Sequence, residues 1–239
     1  MNSRRLAIES VVAAAFLLAS APVALAEAPP KAPADAGLLF KVTGKVTYKN
    51  EAFQKDAAEA KSYMKIRVGD VITVPEGGSV ELAYFSGNRK ETWKGPVTIK
   101  VGLTESTVQS GKDARPEVTK VPAGATDGVK RIPSLLRKAG AGRAGATHVR
   151  GTPGKSDKKP APPLSKEEQA EIAAAREVYA ELKNASADGD ATPDLYLLGV
   201  LADYEQYEEM EKLVVDALKK APKSEELKAI EKWLKEQKK

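Results

Sequence analysis

Residues 63–101, YMKIRVGDVITVPEGGSVELAYFSGNRKETWKGPVTIKV, are short alternating apolar segments cut by glycine turns. Successive strand side chains point to opposite faces, so Val80, Leu82 and Tyr84 share one side. Gly77-Gly78 precedes that segment and Ser86-Gly87-Asn88 follows it, both of them turn signals. Glu91 and Trp93 then alternate with Thr92, Gly95-Pro96 turns the chain, and Val97, Ile99 and Val101 share a face. Repeated short strands with regular turns predict a small antiparallel sandwich or roll.

The flanks extend this pattern. Residues 38–49 read as a strand pair or one long strand. Val42, Gly44, Val46 and Tyr48 lie on one side and Lys41, Thr43, Lys45, Thr47 and Lys49 on the other. Residues 50–62 read as a loop or a short helix. Residues 106–109 and 117–121 are weaker strands, and Pro116 and Pro122 confine them to edges.

Gly44-Lys45-Val46, Val68-Gly69-Asp70-Val71-Ile72-Thr73, Gly77-Gly78-Ser79-Val80-Glu81-Leu82 and the Gly87 turn carry a family likeness. With them, residues 38–111 resemble the FecR domain, a periplasmic domain of bacterial envelope proteins. That resemblance implies a β module of the envelope. The best-known members place a cytoplasmic tail before a membrane span and control a sigma factor. Here only a short stretch precedes the apolar N-terminal run, so the expectation is a free-standing module instead.

The N-terminus reads as a targeting segment. Arg4 and Arg5 precede an apolar run over residues 11–25, which ends Ala24-Leu25-Ala26 before Glu27. This is the pattern of a secretory signal peptide cleaved between Ala26 and Glu27, and it predicts a periplasmic or secreted protein. The chain contains no cysteine, so neither disulfides nor a lipid-modified cysteine is available.

Composition divides the remainder. Residues 27–165 carry 24 basic and 14 acidic side chains, whereas residues 166–239 carry 12 and 18. Residues 27–36 are a Pro/Ala spacer. Residues 123–163 read as a basic linker rich in glycine and proline, within which Leu135 and Leu136 are placed to start a short helix. Residues 111–160 hold 12 basic and 4 acidic residues, a strap suited to an anionic envelope polymer or lipid. A secreted chain has no evident use for nucleic acid.

The last part has helical spacing. Ser165 and Glu168 form a capping-box signature. Ala175, Val178, Tyr179 and Leu182 follow on one face. Thr192-Pro193 reads as an N-cap and first helical residue, ahead of a face made by Leu195, Leu198, Gly199 and Ala202. A turn over residues 204–206 leads to a helix with Tyr207, Met210, Val214, Ala217 and Ala221 inside. Pro222 ends it, and a last helix carries Leu227, Ile230, Trp233 and Leu234. Leu198-Gly199, Tyr207, Ala217-Leu218 and Pro222 resemble the tetratricopeptide repeat. The Gly199–Tyr207 interval is one residue short of that motif, and Met210 replaces its usual small residue. By the register of the resemblance, Tyr196, Val200 and Asp203 line a partner-binding surface.

The expected architecture is therefore α+β in two domains. Residues 37–122 form an all-β FecR-like sandwich or roll, and residues 164–239 form all-α helical hairpins. Catalytic chemistry finds no foothold. His148 is the sole histidine and has no acid or nucleophile beside it in sequence. Without cysteine, it leaves no zinc ligand set. Asp188, Asp190 and Asp194 lack the glycine and terminal glutamate of a calcium loop and read as helix-flanking acids. Gly140-x-Gly142-x-x-Gly145 has a dinucleotide spacing with no strand before it. The reading is a non-enzymatic protein-interaction module of the periplasm or envelope, with no cofactor or metal and with envelope proteins as partners of the helical part. The alternative is a binder of cell wall or surface polysaccharide that stacks sugars on Tyr84, Phe85 and Trp93 of the β domain.

Overall fold

At Gly44 the chain passes from one sheet to another. Its φ of +79° is one that a side chain resists, and it separates β1 (Asp35–Thr43) from β2 (Thr47–Asn50). The two do not pair with each other: β1 pairs with its neighbours in one sheet and β2 in the second. The segment read as a strand pair or one long strand is thus a crossover between layers. The computed structural model describes residues 33–111, 113–122, 124–141 and 163–237. The segment read as a signal peptide, with its Ala26/Glu27 junction, His148 and most of the segment read as a basic linker lie outside these residues.

An antiparallel all-β region comes first. The remaining strands are β3 (Gln54–Glu59), β4 (Lys65–Arg67), β5 (Val71–Val74), β6 (Ser79–Tyr84), β7 (Arg89–Lys94), β8 (Val97–Val101), β9 (Ser106–Ser110) and β10 (Glu117–Lys120). They form two five-stranded sheets, ordered β10-β7-β6-β1-β4 and β3-β2-β5-β8-β9. β3 occupies the segment expected as loop or helix. Leu39, Val80, Leu82, Tyr84 and Trp93 of the first sheet meet Ile72, Val74, Val97, Ile99 and Val101 of the second in one buried core. The alternation read from the sequence specifies the Val80/Leu82/Tyr84 and Val97/Ile99/Val101 faces, and both lie inside.

Asp70, in the Val68-Gly69-Asp70 motif, is buried. Its carboxylate accepts from the Arg67 N–H at 2.8 Å and from Asn50 Nδ2 at 2.6 Å. The Asn50 side-chain oxygen in turn accepts from the Ala52 N–H at 3.0 Å. The motif thus ties the β4–β5 turn to the end of β2. Burial pushes the Asp70 carboxyl above the usual carboxylate range, against the lowering effect of those hydrogen bonds. The folded state therefore holds this proton more tightly than the unfolded chain does. Its stabilising effect is complete below the ordinary aspartate value and is lost as pH rises through the raised one. Denaturant midpoints across that acidic window should fall with rising pH in the wild type. They should fall less in Asp70→Asn; parallel profiles would show that Asp70 is not the group responsible.

A helical region follows: α1 (Ala125–Val129), α2 (Ile132–Lys138), α3 (Lys166–Ala185), α4 (Thr192–Asp203), α5 (Tyr207–Lys220) and α6 (Glu225–Gln237). The capping box of α3 is present: Ser165 Oγ accepts from the Glu168 N–H at 3.2 Å, and the Ser165 N–H donates to Glu168 Oε2 at 2.7 Å. The start of α4 differs from expectation. Ala191 is the N-cap, and the Asp190 carboxylate accepts from the Thr192 N–H at 2.8 Å. α1 and α2 stand in the segment read as linker. Both are short, α1 contains Gly128, and α2 is the short helix expected at Leu135 and Leu136; the helicity of each depends on what it packs against.

What they pack against is α4. Every residue from Thr192 to Ala202 is buried, not only the face carrying Leu195, Leu198, Gly199 and Ala202. α1, α2, α3 and α5 all contact this helix. A helix apolar on all sides needs such enclosure.

The sequence left open whether the β and helical regions touch. They do, and the described residues fall within one compact unit. Leu38 and Phe40 of β1 and Ala83 of β6 join the helical core, while Leu39, Leu82 and Tyr84 serve the sandwich. Leu38 faces Ala83 across the ladder and Leu39 faces Leu82, so both faces of this strand pair are buried. The order of layers is sheet, sheet, helices. The Tyr63 hydroxyl lies 3.4 Å from Thr192 Oγ1, and Lys130 Nζ sits 5.6 Å from the Phe85 ring centroid. Each links a strand end or loop to a helix.

Candidate functional site

α4 supplies the floor of a cleft of about 660 Å³. α1 forms one wall with Asp127 and Gly128, and α3 forms the other with Glu171, Ala174, Ala175 and Val178. Tyr196, Val200 and Asp203 line the floor, one helical turn apart. The sequence register placed these three on an outward face. Tyr196 and Val200 are each only 2% exposed, because α1 lies over them. Asp203 keeps a side chain 44% exposed. The three are together, as expected, but they form the bottom of a cleft and not a projecting surface.

Glycine makes this closeness feasible. A Cβ on Gly128 would fall 2.2 Å from Cε2 of Tyr196, so α1 can cross α4 here only without a side chain. Gly199 is close to Arg131, where an added Cβ would lie 3.2 Å from the Arg131 Cβ. The glycine of the repeat-like motif therefore accommodates the α1–α2 junction.

One end of the cleft is held by a polar cluster. Arg131 Nη2 donates to Glu171 Oε1, and Nη1 lies 3.5 Å from Asp203 Oδ2. Lys138 Nζ is 3.8 Å from Asp203 Oδ1, and the Tyr204 hydroxyl donates to the second oxygen of Glu171. The hydrogen bond from Tyr204, with that from Arg131, holds the Glu171 carboxyl below the usual range. Burial pushes the Tyr196 hydroxyl up. Lys130 pairs with Asp127 at 3.0 Å. The rim charges are thus matched internally around Tyr196 and Val200.

Other sequence candidates lie elsewhere. Trp93 and Tyr84 are in the sandwich core, and Phe85 is half-buried against the helices. The expectation that Tyr84 and Trp93 stack on sugars is corrected, because both are buried in the sandwich core; Phe85 is half-buried, with Lys130 Nζ 5.6 Å from its ring centroid. Asp194 is buried, accepting from the Tyr179 hydroxyl at 3.0 Å and from Lys183 Nζ at 2.7 Å. Asp190 caps α4. Among the described residues no group of three or more His, Asp or Glu side chains is placed to hold a metal ion. No described helix is long and apolar enough to cross a membrane.

Compared with protein-family models, with curated proteins and with solved structures, the chain matches none.

The α1 wall escaped the sequence reading. Its signal was Gly128, an isolated glycine inside Ala125–Val129, a mark of close backbone approach. Within a glycine-rich stretch that signal does not stand out.

Proposed function

We propose that this chain is a non-enzymatic protein-interaction module of the bacterial periplasm or cell envelope, with a FecR-like β region and a tetratricopeptide-like helical region as its scaffold. The observation that carries the reading is the cleft on α4. It gathers Tyr196, Val200 and Asp203 under a rim of paired charges, with exposed Ala174 on one wall. Pockets with an apolar base and a few placed polar groups are the usual form of binding sites. The N-terminal targeting pattern supports the compartment. The partner is a protein of the envelope, whose inserted side chains lie on the apolar floor and meet Arg131, Glu171 and Asp203 at the rim.

Ala174→Trp tests this. The position is exposed, so the change fills the cleft without entering the core. In-cell crosslinking followed by mass spectrometry of the envelope fraction should identify a dominant protein partner in the wild type. Affinity for that partner should drop at least about tenfold, or 1.4 kcal/mol, in the variant, while the thermal midpoint stays unchanged. Equal capture by both proteins would remove the cleft from the binding surface.

A further inference from the structure

Tyr84 and Tyr196 are both almost fully buried, but the protein satisfies only one of their hydroxyls. That of Tyr84 is bonded to Ser106 and Glu91. The half-buried Tyr63, Tyr179 and Tyr204 meet Thr192, Asp194 and Glu171 through their hydroxyls. The Tyr196 hydroxyl has no hydrogen-bond partner among the described residues; Arg131, Asp127 and Glu171 act on it through charge alone. No sealed side-chain nitrogen or oxygen among the described residues lacks a partner. This hydroxyl is therefore the part of Tyr196 that reaches the open space of the cleft. Buried polar groups are hydrogen-bonded as a rule, and an unpaired donor on a cleft floor is a contact left for a ligand.

The surrounding charge decides what that ligand presents. Asp127 pairs with Lys130 at 3.0 Å, Glu171 pairs with Arg131, and Asp203 lies 3.5 Å from Arg131 and 3.8 Å from Lys138. A carboxylate entering the cleft would have to take a base from one of these acids, and an ammonium would have to take an acid from one of these bases. Either breaks an ion pair to form another. An uncharged group breaks none. Burial holds the Tyr196 hydroxyl in its protonated form, so it donates. Its complement is a neutral acceptor. Ala174, Ala175, Val178 and Val200 also line the cleft, so the acceptor sits on a small aliphatic body.

We propose that the cleft recognises an uncharged amide carbonyl on an aliphatic segment of the partner protein, and that this carbonyl accepts a hydrogen bond from the Tyr196 hydroxyl. The amide carbonyl is the neutral acceptor that a polypeptide carries at every residue. A volume of about 660 Å³ lies within the range of pockets that enclose small ligands, room for a short piece of chain. The inference rests on the reading of the cleft as the partner's site and names the group that the partner inserts there.

Tyr196→Phe removes the hydroxyl and keeps the ring. That hydroxyl bonds nothing among the described residues, so the thermal midpoint should not fall. N-acetylvalinamide, an uncharged amide with an aliphatic side chain, serves as ligand, and NMR follows the methyl groups of Val178 and Val200. Saturable shifts are expected, with affinity at least about threefold lower in Tyr196→Phe. N-acetylvaline, with a carboxylate in place of the terminal amide, should bind the wild type more weakly than N-acetylvalinamide. Absent shifts, equal affinity in Tyr196→Phe, or a preference for N-acetylvaline would each overturn the proposal. Tighter binding of N-acetylglucosamine, another neutral amide, would overturn a polypeptide as the source. Partner capture separates this proposal from the reading beneath it. Capture lost in Ala174→Trp but kept in Tyr196→Phe overturns the role of the hydroxyl alone; capture kept in both overturns the cleft as the partner's site as well.

Discussion

Replacing Glu91 with alanine should destabilise the fold by about 3–5 kcal/mol, the largest effect expected of any single polar substitution here. Glu91 is 0% exposed, between the sheets. Its carboxylate accepts from Trp93 Nε1 at 2.9 Å, Arg89 Nε at 2.8 Å, the Ser106 N–H at 3.3 Å and the Tyr84 hydroxyl at 3.4 Å. The Tyr84 and Ser106 hydroxyls are bonded to each other, which closes the cluster. Alanine strands the Trp93 and Ser106 N–H groups away from water, and each orphaned donor costs about 1–3 kcal/mol. Arg89 is partly exposed and can turn toward Glu105, 3.7 Å away, so its loss adds less. Glu91→Gln keeps the volume and one acceptor and should cost about 1–2 kcal/mol. Urea unfolding read by tryptophan fluorescence measures both. A Glu91→Ala protein within 1 kcal/mol of wild type would mean that the cluster contributes little to the sandwich.

The second large effect is at Gly128. Gly128→Val should destabilise by about 3 kcal/mol and open the cleft, because any Cβ there meets the buried Tyr196 ring at 2.2 Å. The Tyr196 ring can give way only into the cleft that it lines, so the substitution distorts the cleft floor. The cost then falls on the α1–α4 contact. Tyr196→Ala alone should cost about 3–5 kcal/mol through the cavity it leaves. The two changes occupy one space, so the double variant should be more stable than the sum of the singles predicts, by about 1 kcal/mol or more. Simple additivity in a thermal or denaturant double-mutant cycle would show that α1 is not held against Tyr196. Partner capture should fall in Gly128→Val alongside its stability. Ala174→Trp separates the two readouts by leaving stability alone.

These residues show how much was legible beforehand. The alternation that put Val80, Leu82 and Tyr84 on one face, and Val97, Ile99 and Val101 on another, needed only the two-residue period of a strand. The capping box at Ser165 and the order of the last helices were readable for the same reason: each rests on neighbours within a turn. Glu91 was seen to alternate with Thr92, but its role was not, because its partners Ser106 and Tyr84 come from other strands. The register of the repeat resemblance grouped Tyr196, Val200 and Asp203 on an outward face; all three line one cleft, but Tyr196 and Val200 are buried. Spacing fixes which residues share a helix face and says nothing about what covers that face.

By itself, then, the sequence determined the β-then-α order, the faces of the central strands, the capping box at Ser165 and the absence of cysteine chemistry. These follow from periods and caps that act over a few residues. Only the tertiary structure decided that β1 and β2 part into different sheets at Gly44, that α1 forms and joins α2 in enclosing α4, and that Leu38 and Phe40 bind the helices to the sandwich. The reason is burial. Short helices and a strand apolar on both faces gain stability only when distant segments remove their surfaces from water, and no local pattern names the segment that does so.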